Sequence, residues 1–172
     1  MTEINWNIFK AKFNQRESNS FENLSYQLFC FEHNQPYGIF RFKNQTGIEV
    51  EPISIGSDFI GFQAKYYETK LTENKADIID SLKKAKSKNP KLTKLYIYLN
   101  QEFSESSKKE IKNPTYKNEI EQEALKLDLI IVWRVPSNFE IQLADNQNRH
   151  IAEFYFTNGS NIIDFLSGIT SH

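Results

Sequence analysis

The chain has 172 residues, with 21 lysines and arginines against 22 aspartates and glutamates and a formal net charge of −1. That length suits one domain with a substantial core, and 14 Phe and 8 Tyr give a globular rather than a disordered composition. Balanced charge excludes a globally basic protein, so nucleic-acid contact has to come from a local patch.

No apolar run approaches the roughly 20 residues that span a bilayer, so no membrane partner is expected. The first residues, Met1 to Trp6, lack the basic and apolar regions of a signal peptide. The single cysteine, Cys30, cannot form an internal disulfide. A cytoplasmic location is the expectation from both features.

Trp6, Phe9 and Phe13 open the chain at helical spacing. Residues 14–20 are polar and read as a loop, with Asn19 or Ser20 as N-cap of an amphipathic helix over 21–31. Phe21, Leu24, Leu28 and Phe31 form its apolar stripe, and Cys30 within it reads as core. After Asn34-Gln35-Pro36 come three strand-like runs, 37–43, 47–53 and 59–67, the last two joined by a hairpin turn over 54–58.

A helix is predicted over 74–88, ending at Asn89-Pro90. The continuous apolar runs 95–99 and 129–133 read as strands buried on both faces. Between them, 100–115 reads as a loop and 116–127 as a helix. The tail is predicted to hold a strand pair, 139–143 and 151–156, and a last helical turn over 162–166. This order predicts an α/β fold, a mixed sheet with helices on both faces, in one domain over 1–172.

The polar positions of the second and third strands carry the chemistry. Glu49 and Glu51 are two residues apart and therefore point the same way, roughly 7 Å apart along a strand. Gln63 and Lys65 share one face of the next strand, and a hairpin brings the two pairs together. Hydrolysis of a phosphodiester needs a divalent cation held by hard oxygen ligands, which carboxylates and an amide oxygen supply. A lysine beside the attacking water stabilises developing charge. The same four residues also suit a solvated sheet face with a cross-strand ion pair.

Gly47-Ile48-Glu49 followed by Gln63-Ala64-Lys65 resembles the PD-(D/E)XK nuclease superfamily, above all its Mrr-like branch. That branch pairs a Gly-apolar-acid element with Gln-X-Lys on the next strand. The resemblance implies a restriction-endonuclease-like fold and a Mg²⁺-dependent deoxyribonuclease, with Mn²⁺ able to substitute. Glu49 then matches the metal-binding acid, Gln63 the second acidic position and Lys65 the catalytic lysine. Glu22 matches the acid of the preceding helix.

Two departures stand out: Glu replaces the usual first Asp, and Gln replaces the second acid. Metal binding then leans on Glu49 and Glu51 beside Gln63; the motif favours Glu49 as the main ligand, with Glu51, just before Pro52, as its rival. Glu22 has a second reading as the N3 residue of a capping box begun by Asn19. Residues 47–52 and 61–65 further resemble the N-terminal nuclease domains of large bacterial STAND/NACHT-type defence proteins. That implies an anti-phage effector, fused or associated NTPase or sensor domains, and activation by oligomerisation.

Lys83, Lys84, Lys86, Lys88, Lys91 and Lys94 fall in a stretch without an acid. They suit either a solvated helix end, where cations complement the dipole, or contact with duplex DNA phosphates, which Arg41 and Lys43 would extend. By strand parity Tyr66 belongs to the core and Tyr67 to the catalytic face. His33, His150 and His172 show no metal spacing, and no Gly-rich phosphate loop is present. Nothing in the sequence reads bases, so cleavage of low specificity is expected. The alternative function is a catalytically silent nucleic-acid-binding or protein-interaction module of the same fold.

Overall fold

The computed structural model describes residues 4–39, 50–104 and 113–158. Within them a four-stranded sheet has the order β1-β2-β3-β4, from β1 (Ile53–Ile55), β2 (Asp58–Lys65), β3 (Lys94–Leu99) and β4 (Ile130–Arg134). β1 runs antiparallel to β2, with Ile53 opposite Ile60. β2, β3 and β4 are parallel, with Lys65 opposite Leu99 and Tyr98 opposite Arg134. The chain is therefore α/β with a mixed sheet, as its pattern predicts.

Strand parity divides the core into two layers. On one face Ile60, Phe62 and Tyr98 pack with Phe9, Phe21, Leu24, Leu28 and Phe29. These come from α1 (Trp6–Lys12) and α2 (Glu17–Glu32). The same layer takes Phe139 and Leu143 of α5 (Pro136–Ala144) and Ile151, Tyr155 and Phe156 of α6 (Arg149–Phe156). On the other face Leu95, Ile97 and Leu99 pack with Ile78, Leu82 and Ala85 of α3 (Lys75–Lys88) and Ile120 and Ala124 of α4 (Thr115–Leu125). Helices thus cover both faces. Among the described residues no helix is long and apolar enough to cross a membrane.

Several elements differ from their sequence expectation. Helix α2 starts at Glu17 with Arg16 as N-cap, so the polar run 17–20 is its first turn rather than a loop. Polarity there marks a solvent face. The capping-box reading of Glu22 goes with it, because Glu22 now lies in the second turn. The hairpin is tighter than expected: β1 and β2 are separated by Gly56 and Ser57, with Gly56 at φ 59°. The ladder of β1 begins only at Ile53, and Val50 forms an isolated bridge. Pro52 lacks the N–H that an unbroken strand would use. Residues 37–39 are not strand, Tyr37 is fully exposed, and 40–43 lie outside the described residues.

The tail is helical rather than a strand pair. The alternation of Phe139, Ile141 and Leu143 mimics a strand, yet Ile141 is 76% exposed while Phe139 and Leu143, four apart, are buried. Pro136 supplies a favourable first helical residue. Likewise Ile151, Ala152, Tyr155 and Phe156 form one helical stripe. β4 is last in the sheet order, and its Ile130 is 53% exposed, so it is not buried on both faces. The turn expected over 162–166 lies outside the described residues.

His33, just past α2, sits edge-on to Phe29 and Tyr96, with ring centroids 4.5 and 4.8 Å away. Burial lowers its pKa from the ordinary 6.5, Glu32 opposes this and Arg134 adds to it. A depressed folded-state pKa stabilises the fold above the unfolded value and loses that contribution as pH falls through the folded one. NMR titration is expected to place the His33 midpoint below 6.5. A midpoint at or above it would contradict this burial.

Candidate active site

The C-terminal end of β2 meets the first turn of α3. Gln63 and Lys65 point to the α3 face, opposite in parity to Phe62 and Ala64, which serve the other layer. The chain reverses between β2 and α3, so the helix runs back over the strand. Two strand residues span roughly 6.6 Å and one helical turn of four residues about 6 Å. That match lets two successive pairs form. Lys65 Nζ donates to Asp77 Oδ2 at 3.1 Å, and Gln63 Nε2 reaches the Ser81 carbonyl at 3.4 Å.

Gln63 is 1% exposed, and its Oε1 is buried without a hydrogen-bond partner among the described residues. A buried acceptor with no donor is costly, and a hard cation is one partner that relieves it. The amide oxygen therefore fits the oxygen-ligand chemistry of Mg²⁺ or Mn²⁺.

Asp77 is shared. The Tyr67 hydroxyl donates to the same Oδ2 at 2.6 Å. Burial pushes the Asp77 carboxyl up, but the Tyr67 hydrogen bond and the Lys65 ammonium outweigh it and hold the group below the ordinary 3.8. The Tyr67 phenol is pushed well up, by burial first and then by Asp77. Tyr67 itself is fixed by Asn100, the residue after β3. Asn100 accepts from the Tyr67 N–H and donates to its carbonyl, both at 2.9 Å. The side-chain amide thus continues the sheet ladder past the end of β2.

Comparison with protein-family models gives no match, and comparison with curated proteins gives none either.

Glu51 is exposed, next to Pro52 and outside the regular strand. Glu49, Arg41 and Lys43 lie outside the described residues. Val50 is fully buried in the α1/α2 layer. Glu22 is half-buried on α2, which packs on the face opposite to Gln63 and Lys65. Gln63 and Lys65 are thus brought together, with Tyr67 beside them as parity predicts. Among the described residues no three His, Cys, Asp or Glu side chains group as a metal site.

Asp77 escapes the sequence reading. The available signal is its position in the first turn of a helix that follows a strand ending in lysine, one residue before the buried Ile78. The lysine stretch divides on inspection. Lys84 pairs with Asp80 at 2.6 Å and Lys94 with Asp58 at 2.6 Å. Lys86 donates to the Leu92 carbonyl at 2.7 Å and approaches that of Asp128. Lys83 is exposed, as is Lys84.

A second polar cluster lies at the same end of the sheet on the α2 side. Arg134, the last residue of β4, pairs with Glu32, which also accepts from Tyr98 and Gln142, each at 3.3 Å. The Glu32 hydrogen bond raises the Arg134 pKa further. Beside the pair is a cavity of about 500 Å³ lined by Phe31, Ile141 and Asn148 among others. The guanidinium and carboxylate satisfy each other there, so this cluster reads as a structural tie between α2, α5 and β4.

Proposed function

We propose that this chain is a metal-dependent endonuclease that hydrolyses DNA phosphodiester bonds with low sequence specificity. The observation that carries the reading is the shared face of Gln63 and Lys65 at the end of β2: an amide oxygen, buried without a donor among the described residues, beside a lysine that Asp77 engages. Glu49, Glu51 and Gln63 are the residues that would hold Mg²⁺ or Mn²⁺; Glu22, the helix acid that the resemblance adds, lies on the α2 side of the sheet. The bound ion supplies phosphate charge neutralisation and a more acidic water. Lys65 contributes a directed ammonium that stabilises negative charge developing on the phosphate oxygens. That ammonium donates to Asp77, whose same oxygen accepts from the Tyr67 hydroxyl.

The partner is duplex DNA, reached through local basic residues. Lys83 and Lys84 are the exposed candidates, with Arg41 and Lys43 as the extension proposed from sequence. Each phosphate neutralised contributes about 0.9 to the slope of log K against log salt. Lys83→Ala is expected to flatten that slope by about this amount in fluorescence anisotropy titrations on a duplex. Lys86→Ala, which removes a donor to the Leu92 carbonyl, is expected instead to cost about 1 kcal/mol in urea unfolding. Equal slopes for Lys83→Ala and wild type would remove Lys83 from the DNA surface.

Activation by oligomerisation, fused or associated NTPase or sensor domains and a role in anti-phage defence complete the proposal. A second reading, a catalytically silent nucleic-acid-binding or interaction module, is favoured by one observation: Lys65 is already engaged by Asp77. Plasmid cleavage decides between them. The protein, alone and fused to a dimerising segment, is incubated with plasmid and Mg²⁺ or Mn²⁺ beside an EDTA control. The nuclease reading expects metal-dependent nicking or linearisation. Intact plasmid in every arm favours the silent module.

A further inference from the structure

We infer that Asp77 is the positioning residue of this site, fixing the Lys65 ammonium for reaction. The inference rests on the nuclease reading above and adds a role to a residue outside the strand motif.

A lysine amine sits on a flexible four-carbon stem with three rotatable donors, and most of that freedom is lost to catalysis unless something holds it. Asp77 Oδ2 accepts one of those donors at 3.1 Å. Two N–H groups remain for a phosphate oxygen or a water. The Lys65 side chain is 20% exposed and that of Asp77 55%, so the pair stands at the surface where a substrate can reach it.

Asp77 is itself held. Tyr67 donates to the same oxygen at 2.6 Å, and the Tyr67 backbone is clamped on both sides by Asn100. The carboxylate also lies in the first turn of α3, where the helix dipole favours an anion. The chain from β3 through Asn100, Tyr67 and Asp77 to Lys65 thus aims one ammonium with contributions from three elements. A chance surface ion pair requires none of these supports. Gln63, one strand repeat back, places on the same face an oxygen that has no partner among the described residues.

The test uses the full chain in its cutting-competent form and compares wild type with Asp77→Ala and Asp77→Asn. Asp77→Ala is expected to lower kcat by about 10- to 100-fold, the scale on which a small misplacement of a catalytic group acts. KM for plasmid and Mn²⁺ affinity, read by electron paramagnetic resonance of free Mn²⁺, stay within about twofold if positioning is the whole effect. Asp77→Asn keeps the acceptor for Tyr67 and Lys65 and is expected to retain more kcat than Asp77→Ala. An activity-free readout accompanies this: acylation of Lys65 by a succinimidyl ester, followed by mass spectrometry, rises in Asp77→Ala as the stem is freed.

An unchanged kcat in Asp77→Ala, with wild type cutting, overturns this inference and leaves the nuclease reading standing. So does a loss of Mn²⁺ affinity that parallels kcat, because Asp77 is then a ligand rather than a positioning group. Unchanged Lys65 acylation likewise overturns it. If the wild type never cuts, even when dimerised, the nuclease reading fails and this role falls with it.

Discussion

Lys65→Ala is expected to reduce metal-dependent plasmid cleavage by about 100- to 1,000-fold, the loss seen when one aimed donor to a charged transition state is removed. The reason is local. Lys65 ends β2 on the α3 face and already has its stem directed by Asp77. The same substitution is expected to leave stability nearly unchanged, since the pair it breaks is partly exposed and such pairs contribute about 0–1 kcal/mol. Matching urea midpoints with a collapsed rate would separate chemistry from folding. Equal cleavage by wild type and Lys65→Ala would remove the lysine from the mechanism.

The largest stability effect is expected at Phe9. Its ring is fully buried and has five aromatic neighbours among the described residues: Phe13 and Trp6 at 5.0 and 5.3 Å between centroids, Phe156 at 5.8 Å, Tyr66 at 6.1 Å and Tyr155 at 6.3 Å. It therefore joins α1, α6 and the segment leaving β2. Phe9→Ala removes the transfer energy of the ring and leaves a cavity between two helices, together about 3–5 kcal/mol. Phe31, 44% exposed, is the control, and its alanine variant is expected to cost less than about 1 kcal/mol. Urea unfolding of both variants reads the contrast. A Phe9→Ala cost near that of the control would mean that α1 does not pack on α6 as described.

The sheet was legible because its signals are local and periodic. The alternation of Ile60, Phe62 and Ala64 with Gly61, Gln63 and Lys65 predicts the two faces of β2 correctly. The apolar run from Leu95 to Leu99 predicts a central strand, and Asn89-Pro90 the end of α3. Where the reading failed, a second pattern with similar local content won. Phe139, Ile141 and Leu143 satisfy period two as well as spacing of four, and only tertiary packing shows which is used. Glu17 to Ser20 has no apolar residue to announce the start of a helix, yet its outward face requires none.

The site was half legible for a related reason. Gln63 and Lys65 sit on one strand, so parity alone aligns them. Asp77 reaches Lys65 through the strand–helix reversal, a contact across 12 positions that depends on the length of the intervening turn. Pro52 shows the limit in the other direction. It interrupts the ladder between Glu51 and Ile53, so period two alone does not orient Glu51.

A crystal soaked in Mn²⁺ tests most directly the proposal that Glu49, Glu51 and Gln63 hold a cation. Anomalous density is expected about 2.0–2.2 Å from the Gln63 amide oxygen and from at least one of the two glutamate carboxylates. The absence of density there at Mn²⁺ concentrations that support cleavage, or an ion bound elsewhere with Gln63 untouched, would contradict it.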